Sequence, residues 1–310
     1  MSSRLHAHIG TFRQLEILLA LHEQGSVKAA AETCFLTQPT VSMQLKKLAD
    51  AIGMPLYQQV GRKLQFTDAG LATVATAKQI LQSCEELDMQ LSSLKGLRSG
   101  TLRIACATTA KYFIPHLLGP FCERYPGIEV QFTVANRQQV IDRLEQGLDD
   151  FYVFSYVPEG LDIEVAEFMP NDLVAIAKAD HPLAQQSQVS LQAFCQADFL
   201  MREAGSGTRY SIENFFKQQQ FQPNIKMTIA SNEAIIHSVL SGLGVSILSA
   251  HTLAFGENYD VKVLNVESLP IVSLWTFAWA KSRALSPIAQ VFLDYVNTQG
   301  RSEMQQAFSL

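Results

Sequence analysis

Residues Ala29–Leu48, AAAETCFLTQPTVSMQLKKL, read as two short helices around a tight turn. Ser26 is a good N-cap for the first, and Ala29, Ala30 and Ala31 are small, strongly helix-forming positions that let another helix approach closely. Phe35 and Leu36 are expected to close that helix as apolar anchors. Thr37 can cap the second helix, and Pro39 falls in its first turn, where a missing N–H costs nothing. The second helix then divides its faces. Val41, Leu45 and Leu48 recur at i, i+4 and i+7 and are expected to pack inward. Gln38, Thr40, Ser42, Met43 and Gln44 are left outward, followed by Lys46 and Lys47. Hydrogen-bonding side chains suit base edges and lysines suit phosphates, so this face has the make-up of a recognition helix lying in a DNA groove. The competing reading is an ordinary amphipathic helix pair with a solvated polar face.

The flanks favour the first reading. Upstream, Thr11 can cap a helix with a broad apolar face (Phe12, Leu15, Ile17, Leu18, Leu19, Leu21) that Gly25 stops. Downstream, apolar residues from Leu56 to Phe66 alternate loosely around Gly61-Arg62-Lys63. A glycine turn carrying two cations can approach a phosphate backbone; alone it is a solvated loop, but directly after a helix-turn-helix it reads as a wing. Thr67 or Asp68 then opens a long helix without proline as far as Leu97. Ile80, Cys84, Leu87, Leu91 and Leu94 keep heptad spacing along it. At 1.5 Å per residue it is about 40 Å long, and a second copy paired along this stripe would present two recognition helices roughly 34 Å apart, or a multiple of that. The same stripe could instead pack on the rest of the chain. Lys95–Gly100 is the expected hinge.

Composition agrees with this division of labour. The chain has 310 residues, 47% of them hydrophobic, enough for two or more cores and too many for disorder. Its net charge of −5 is uneven: residues 1–98 carry 10 Lys and Arg against 8 Asp and Glu, leaving 14 against 21 for the remainder. A mildly basic small unit joined to an acidic larger one fits nucleic-acid binding confined to the first. The five cysteines, Cys34, Cys84, Cys106, Cys122 and Cys195, are odd in number and form no CxxC pair, so free thiols are expected rather than a disulfide framework or zinc site. His6 and His8 near the start are not expected to hold a metal. The N-terminal stretch lacks an uninterrupted apolar h-region and no segment has 18 apolar residues in a row, so a cytoplasmic protein with no membrane partner is expected.

From Thr101 strands alternate with helices. Leu102–Ala107, Ile128–Val134 and Phe151–Phe154 read as strands separated by helices from Phe113 and from Val140, a βαβαβ run expected to form a parallel sheet, with Phe151–Phe154 apolar enough to be central. Ile163–Phe168 and Leu173–Ala177 follow as strands. A second α/β unit runs through Phe199–Met201, Thr208–Gln219, Ile225–Ile229, Asn232–Leu240 and Val245–Leu248. Val261–Leu264 reads as a short strand, Val272–Trp279 as a return strand and Pro287–Val296 as a terminal helix. Two α/β lobes joined by several connections imply a cleft, where small ligands bind outside the carboxyl ends of strands.

Taken together, AAAETCFLTQPTVSMQLKKL, GMPLYQQVGRKLQFTDAG, GTLRIA, FCERYPGIEV, HPLA and SNEAIIHSVLSGLGVSIL give a chain that resembles a LysR-type transcriptional regulator over nearly its whole length. Within that family, ATTAKYFIPHLLGPFCERYPGIEV, ANRQQV, DDFYVFSYVPEGLDIE and REAGSGTR resemble the CbbR/RbcR-like branch that controls carbon-fixation operons. The resemblance implies a multidomain chain: an α-rich winged helix-turn-helix domain over 1–67, a dimerising linker helix over 68–98, and a two-lobed α/β effector domain, like a periplasmic binding protein, over 99–310. It implies promoter DNA carrying an inverted repeat as partner, a homodimer or homotetramer, RNA polymerase as a further candidate partner, and no cofactor. It also implies a small effector, in this branch often a phosphorylated metabolite. One departure is Gln58-Gln59, where family members often carry a Glu-Arg pair; Arg62 or Lys63 would have to supply that wing contact.

Carried over residue by residue, Gln38, Pro39, Thr40, Ser42 and Met43 are expected to face bases, and Lys46, Arg62 and Lys63 phosphates. In the effector domain Thr108 and Thr109, Asn136 and Arg137, Arg202 with Ser206 and Thr208, and Asn232 all fall at strand-to-helix turns, where hydroxyls and free N–H groups suit an anion. Each Ser, Thr and Asn could equally be a plain helix cap, and the two arginines could be ion pairs holding lobes together. The rival functions fit less well. A solute-receptor-like binding protein with no role at DNA would explain the second part of the chain but not the first. Enzyme motifs fail in detail: Ala204 breaks a GxSxG pattern, and Gly242-Leu243-Gly244 runs from helix to strand with Ile247 where a dinucleotide loop needs glycine.

Overall fold

The computed structural model describes residues 10–60, 63–94, 100–254 and 260–307. The chain divides into two compact units, Met1–Leu91 and Ser92–Leu310.

The first unit opens with α1 (Phe12–Gln24), capped by a reciprocal Thr11–Gln14 box and ended by Gly25 in the left-handed conformation (φ 67°). Helix α2 (Val27–Thr33) starts on Ser26, whose side chain accepts from Ala29 N–H. Helix α3 (Gln38–Ile52) carries Pro39 in its first turn and ends at Gly53, again left-handed (φ 79°). Thr37 occupies the N-cap of α3 without bonding its backbone; its hydroxyl pairs with that of Thr40 at 2.8 Å instead. The expected burial of Val41, Leu45 and Leu48 is complete, and they join Leu15, Leu18, Leu21, Ala30 and Ala31 in one core. Phe35 is not an anchor. It is 95% exposed and takes φ 55° in the turn between α2 and α3, where the reversal of the chain turns its side chain out; Leu36 alone packs on the core. Gln44 is drawn from the outward face by a 2.9 Å hydrogen bond from Gln14 Nε2.

Strands β1 (Tyr57–Val60) and β2 (Lys63–Phe66) form the expected hairpin, in register from Tyr57 opposite Phe66 to Val60 opposite Lys63. Thr67, not Asp68, caps the next helix, accepting from Gly70 N–H at 3.0 Å. That helix, α4 (Asp68–Leu94), has 27 residues and is about 40 Å long. Its first turns put Val74 and Ala77 into the core beside Ile80. Further along, Leu87 and Leu91 of the heptad stripe are 56% and 47% exposed.

The second unit contains two lobes. The first is a five-stranded sheet in which β3 (Gly100–Ala107) lies between β4 (Ile128–Ala135) and β5 (Phe151–Phe154), all three parallel. The remaining strands are β6 (Ile163–Pro170) at the edge and the returning β12 (Leu274–Ala280), which inserts antiparallel between β5 and β6. Helices α5 (Ile114–Arg124), α6 (Arg137–Glu145) and α11 (Pro287–Tyr295) cover it, and Phe121, Phe151, Phe277 and Phe292 pack beneath them. Beyond α11 the chain continues through a π-helical turn (Val296–Gly300) into α12 (Arg301–Ala307), longer than the sequence pattern suggested.

The second lobe starts with β7 (Leu173–Lys178). It continues through α7 (Leu191–Gln196), β8 (Asp198–Arg202), α8 (Gly207–Gln219), β9 (Asn224–Ile229) and α9 (Asn232–Leu240), then β10 (Ser246–Ser249), α10 (Ala250–Ala254) and β11 (Val261–Val263). Strands β8 and β9 are parallel; β10 and β11 flank β7 antiparallel. The chain crosses between lobes twice, and the crossings are tied to each other: Leu173 and Ile271 exchange backbone bonds at 2.9 and 3.0 Å, and Asn171 Nδ2 donates to Ser273 Oγ at 3.0 Å. This paired, hydrogen-bonded crossing joins the two lobes.

Candidate functional site

On α3, Gln38, Pro39, Ser42, Met43, Lys46 and Lys47 are exposed and Thr40 is half-buried, on the side opposite Val41, Leu45 and Leu48. The helix therefore offers amide, hydroxyl and thioether groups near its start and two ammonium groups further on. Arg62 lies outside the described residues. Of Lys63 only the backbone, paired with Val60, is described. His6, His8 and most of the hinge segment (95–99) also lie outside.

In the second unit three strand-to-helix turns meet where the lobes face each other. Strand β3 ends in a 3-10 turn (Thr108–Tyr112); β4 leads through Asn136 into α6, and β8 leads through Ser206 into α8. The ends of parallel strands direct helix N-termini, with their unpaired N–H groups, at a common space. That space is a cleft lined by Thr108, Thr109, Arg137, Arg202, Ser206 and Thr208, six of the eight expected effector residues. Ala107, Ser155, Gly207 and Trp275 complete the wall. Gly207 belongs to the Gly205–Thr208 turn that the sequence already marks as suited to an anion; Ser155 and Trp275 carried no such local signal. Trp275 brings a buried indole N–H that finds no acceptor among the described residues. No lining side chain is a carboxylate.

The two remaining expected residues do other work. Asn136 caps α6, accepting from Gln139 N–H at 2.9 Å in a reciprocal box. Asn232 is buried beside the cleft, where its Nδ2 donates to Thr109 across the lobes at 3.2 Å and its Oδ1 accepts from Arg202 Nη1.

The two arginines differ sharply. Arg202 is 1% exposed. Its Nε and Nη2 form a fork with both Glu203 carboxylate oxygens at 2.8 and 2.9 Å. The pair and the bond to Asn232 compensate a charge that burial alone would make costly. Arg137 is half-buried. It donates Nε to the Tyr156 carbonyl at 3.2 Å and has no carboxylate partner among the described residues; burial lowers its pKa from the ordinary value. A positive group without a counter-ion in a cleft wall is suited to an anionic ligand.

A second bridge spans the lobes beside the cleft. Glu233, in the first turn of α9, accepts from Tyr112 OH at 2.8 Å, from Lys111 Nζ at 2.7 Å and from Ser231 Oγ at 2.7 Å. Burial acts to raise its pKa, but Lys111, Ser231, its own backbone N–H and Tyr112 outweigh this and hold it at about 2. The Tyr112 phenol is pushed up in turn, by burial and then by Glu233. Nothing in the local sequence announced this bridge, since its partners are more than a hundred residues apart.

Residues 12–71 match the family of bacterial regulatory helix-turn-helix proteins of the lysR type, and residues 95–301 match the LysR substrate binding domain. The chain belongs to the LysR family. Like its relatives, which are transcriptional regulators rather than enzymes, this LysR-type protein is a DNA-binding transcriptional regulator with an effector-binding domain, and the helix-turn-helix match sets aside a solute receptor without a role at DNA. It is 45% identical over 287 residues to the HTH-type transcriptional activator CmpR of Synechocystis sp., an alignment covering 92% of this chain and 94% of the relative. It is 36% identical over 290 residues to a RuBisCO operon transcriptional regulator of Acidithiobacillus ferrooxidans, covering 92% and 93%. These relatives belong to the carbon-fixation branch that the sequence resembled. Among solved structures, the CcmR regulatory domain of Synechocystis PCC6803 in complex with 2-PG is 42% identical with a TM-score of 0.61, covering 63% of this chain and 95% of that one. Full-length CbnR, at 21% identity and a TM-score of 0.70 over 94% of this chain and 99% of that one, shares the fold.

The thiols are free: Cys34, Cys106 and Cys195 are buried as expected, Cys122 is half-buried, and Cys84 is exposed on α4. Among the described residues no helix is long and apolar enough to cross a membrane.

Proposed function

We propose that this LysR-type regulator controls genes of carbon dioxide fixation and is switched by a small phosphorylated acid, of the type of 2-phosphoglycolate, held between the two lobes of its effector domain. The observation that carries the reading is the convergence of Arg137, Arg202 and the α8 N-terminus on one cleft with no carboxylate in its wall. Helix N-termini and guanidinium forks both favour phosphate oxygens. The 2-PG complex of the 42% identical CcmR domain supports that choice of ligand, and the RuBisCO operon regulators among the relatives support the choice of genes. We assign Gln38, Pro39, Thr40, Ser42 and Met43 to base edges and Lys46, Arg62 and Lys63 to phosphates. The exposed Leu87 and Leu91 of α4 support pairing with a second copy, as a homodimer or homotetramer on an inverted-repeat promoter site in the cytoplasm. RNA polymerase is then the natural further partner.

An effector can act only by favouring one arrangement of the protein over another, and a change in the angle between the lobes about their paired crossing would supply two arrangements. The test is thermal melting of the full chain with 2-phosphoglycolate, inorganic phosphate and neutral glycolamide. A ligand specific to the native state stabilises it by about 2.7 kcal/mol at a hundred times its Kd. The melting point should rise with 2-phosphoglycolate and stay fixed with glycolamide, and Arg137→Gln should abolish the rise. Stabilisation by neutral ligands alone would overturn the reading.

A further inference from the structure

Several polar side chains in the wall of the cleft are already engaged. The Thr108 hydroxyl donates to the Ala135 carbonyl at 3.1 Å. Ser206 Oγ caps α8 by accepting from Arg209 N–H. Arg202 directs Nε and Nη2 at Glu203 and Nη1 at Asn232. Trp275 is different. It has no exposure to solvent, yet its indole N–H meets no acceptor. Of the buried side-chain polar atoms that lack a partner among the described residues, only Trp275 Nε1 belongs to a wall residue of the cleft. Burying an N–H without an acceptor costs free energy, and native structures rarely do so.

The strand is shaped around this side chain. Trp275 is the second residue of β12, two beyond Ser273, which bonds Asn171 where the chain crosses between lobes. Regular pairing of β12 with β6 breaks at this point. Trp275 stands opposite Met169 and Thr276 opposite Glu167, so Phe168 is the extra residue of a β-bulge. A bulge adds local twist and re-aims neighbouring side chains, and bulges gather beside binding sites. The ring is also held in place. Phe113 lies 5.2 Å from it, centroid to centroid, and Phe113 packs in turn on Phe168 and on His251 of α10. With the ring packed and bulk solvent excluded, the cleft is the side from which Trp275 can be offered an acceptor. A donor fixed in advance loses little freedom on binding.

We infer that Trp275 is an effector-binding residue, its indole Nε1–H donating a hydrogen bond to an oxygen of the anion held between the lobes. This role rests on the anion-effector reading and adds a neutral, directional contact to the cations and helix N-terminus that carry it. An indole N–H donates and never accepts, so the atom placed against it is a carboxylate or phosphoryl oxygen and not a donor group. Arg137 responds to the charge of the ligand; Trp275 responds to where one of its acceptors lies.

The chain has two tryptophans, so isotopic labelling of the indole nitrogens gives two N–H resonances to follow by NMR. Trp279 lies near the other end of β12 against Phe151, about 13 Å along the strand, and is the internal control. Titrating the full chain with 2-phosphoglycolate should move the Trp275 resonance downfield to saturation and leave that of Trp279 in place, with Trp279→Phe assigning the two. By calorimetry, Trp275→Phe keeps a ring without the donor and should raise the Kd for 2-phosphoglycolate about tenfold or more, as for a lost hydrogen bond to a charged group. Trp279→Phe should stay within about twofold of the unmodified chain. A Trp275 resonance that stays put at saturation, or an unchanged Kd in Trp275→Phe, overturns the role of Trp275 and leaves the anion site standing. If the unmodified chain does not bind 2-phosphoglycolate, the anion reading itself fails and this role with it. The resonance is read on an intact Trp275, so it decides the matter even if Trp275→Phe does not fold.

Discussion

Replacing Arg202 by methionine separates what this residue does for the fold from what it does for a ligand. Methionine fills much of the same volume without charge. Its introduction leaves two groups without their donors. Asn232 Oδ1, in a residue 1% exposed, loses the Nη1 bond, and an unsatisfied buried acceptor costs about 1–3 kcal/mol. Glu203 loses both arms of the fork, but its side chain is 22% exposed and recovers part of its hydration. The penalty therefore stays below the roughly 3–5 kcal/mol of breaking a fully buried pair. A total of about 2–4 kcal/mol follows, and in a unit of this size 1 kcal/mol moves the melting point by about 2–4 °C. Differential scanning calorimetry of the full chain should show the effector-domain transition lowered by roughly 5–15 °C, with no further rise on adding 2-phosphoglycolate. Arg137→Gln is the contrast: half-buried and without a carboxylate partner among the described residues, it should melt only about 2–4 °C below the unmodified chain, as expected for losing about 1 kcal/mol of its contact with the Tyr210 ring and its hydrogen bond, yet lose the same ligand response. An Arg202→Met variant that melts normally and still responds to the anion would refute the whole account of this residue.

On the DNA side, Thr40→Ala and Ser42→Ala should alter sequence preference in a binding-site selection, whereas Lys46→Ala should weaken all sequences alike and reduce the salt slope by about 1; equal, sequence-independent losses from all three would reject the assigned roles. For the Glu233 bridge, the folded pKa of about 2 lies below the ordinary 4.5, so its contribution is fully present above pH 4.5 and fades as the pH falls towards 2. The melting-point gap between Glu233→Gln and the unmodified chain should therefore be widest near neutrality and shrink steadily below about pH 4.5; a gap independent of pH would show that the carboxylate charge is not what joins the lobes there.

Local chemistry determined much of this protein. Helix starts at Thr11, Ser26, Ser206 and Ser231 were legible because a hydroxyl before a helical run satisfies its own nearby N–H groups. The helix stop at Gly25 was legible because glycine enters the left-handed region without strain. The 3.6-residue period of Val41, Leu45 and Leu48 fixed which side of α3 is buried. Six of the eight residues named for the effector cleft line it, since their position after parallel strands is itself a topological rule.

Interactions between distant segments were not legible. Phe35 looked like core because apolar residues usually are, yet the turn that sends the chain from α2 to α3 leaves it outside. Gln44 looked solvated until α1 placed Gln14 against it. Arg137 and Arg202 were indistinguishable in sequence, and only the packing of α9 against β8 buries one with Asn232 and Glu203 while leaving the other to meet Tyr210 from the opposite lobe. The Tyr112–Glu233 bridge likewise depends on two chain crossings that bring residues 121 positions apart within 2.8 Å. Capping and periodicity act within a few residues and can be read along the chain. Which charge is neutralised, which aromatic ring meets a cation and which lobe faces which depend on the folded path, because they are contacts that only three-dimensional closure creates.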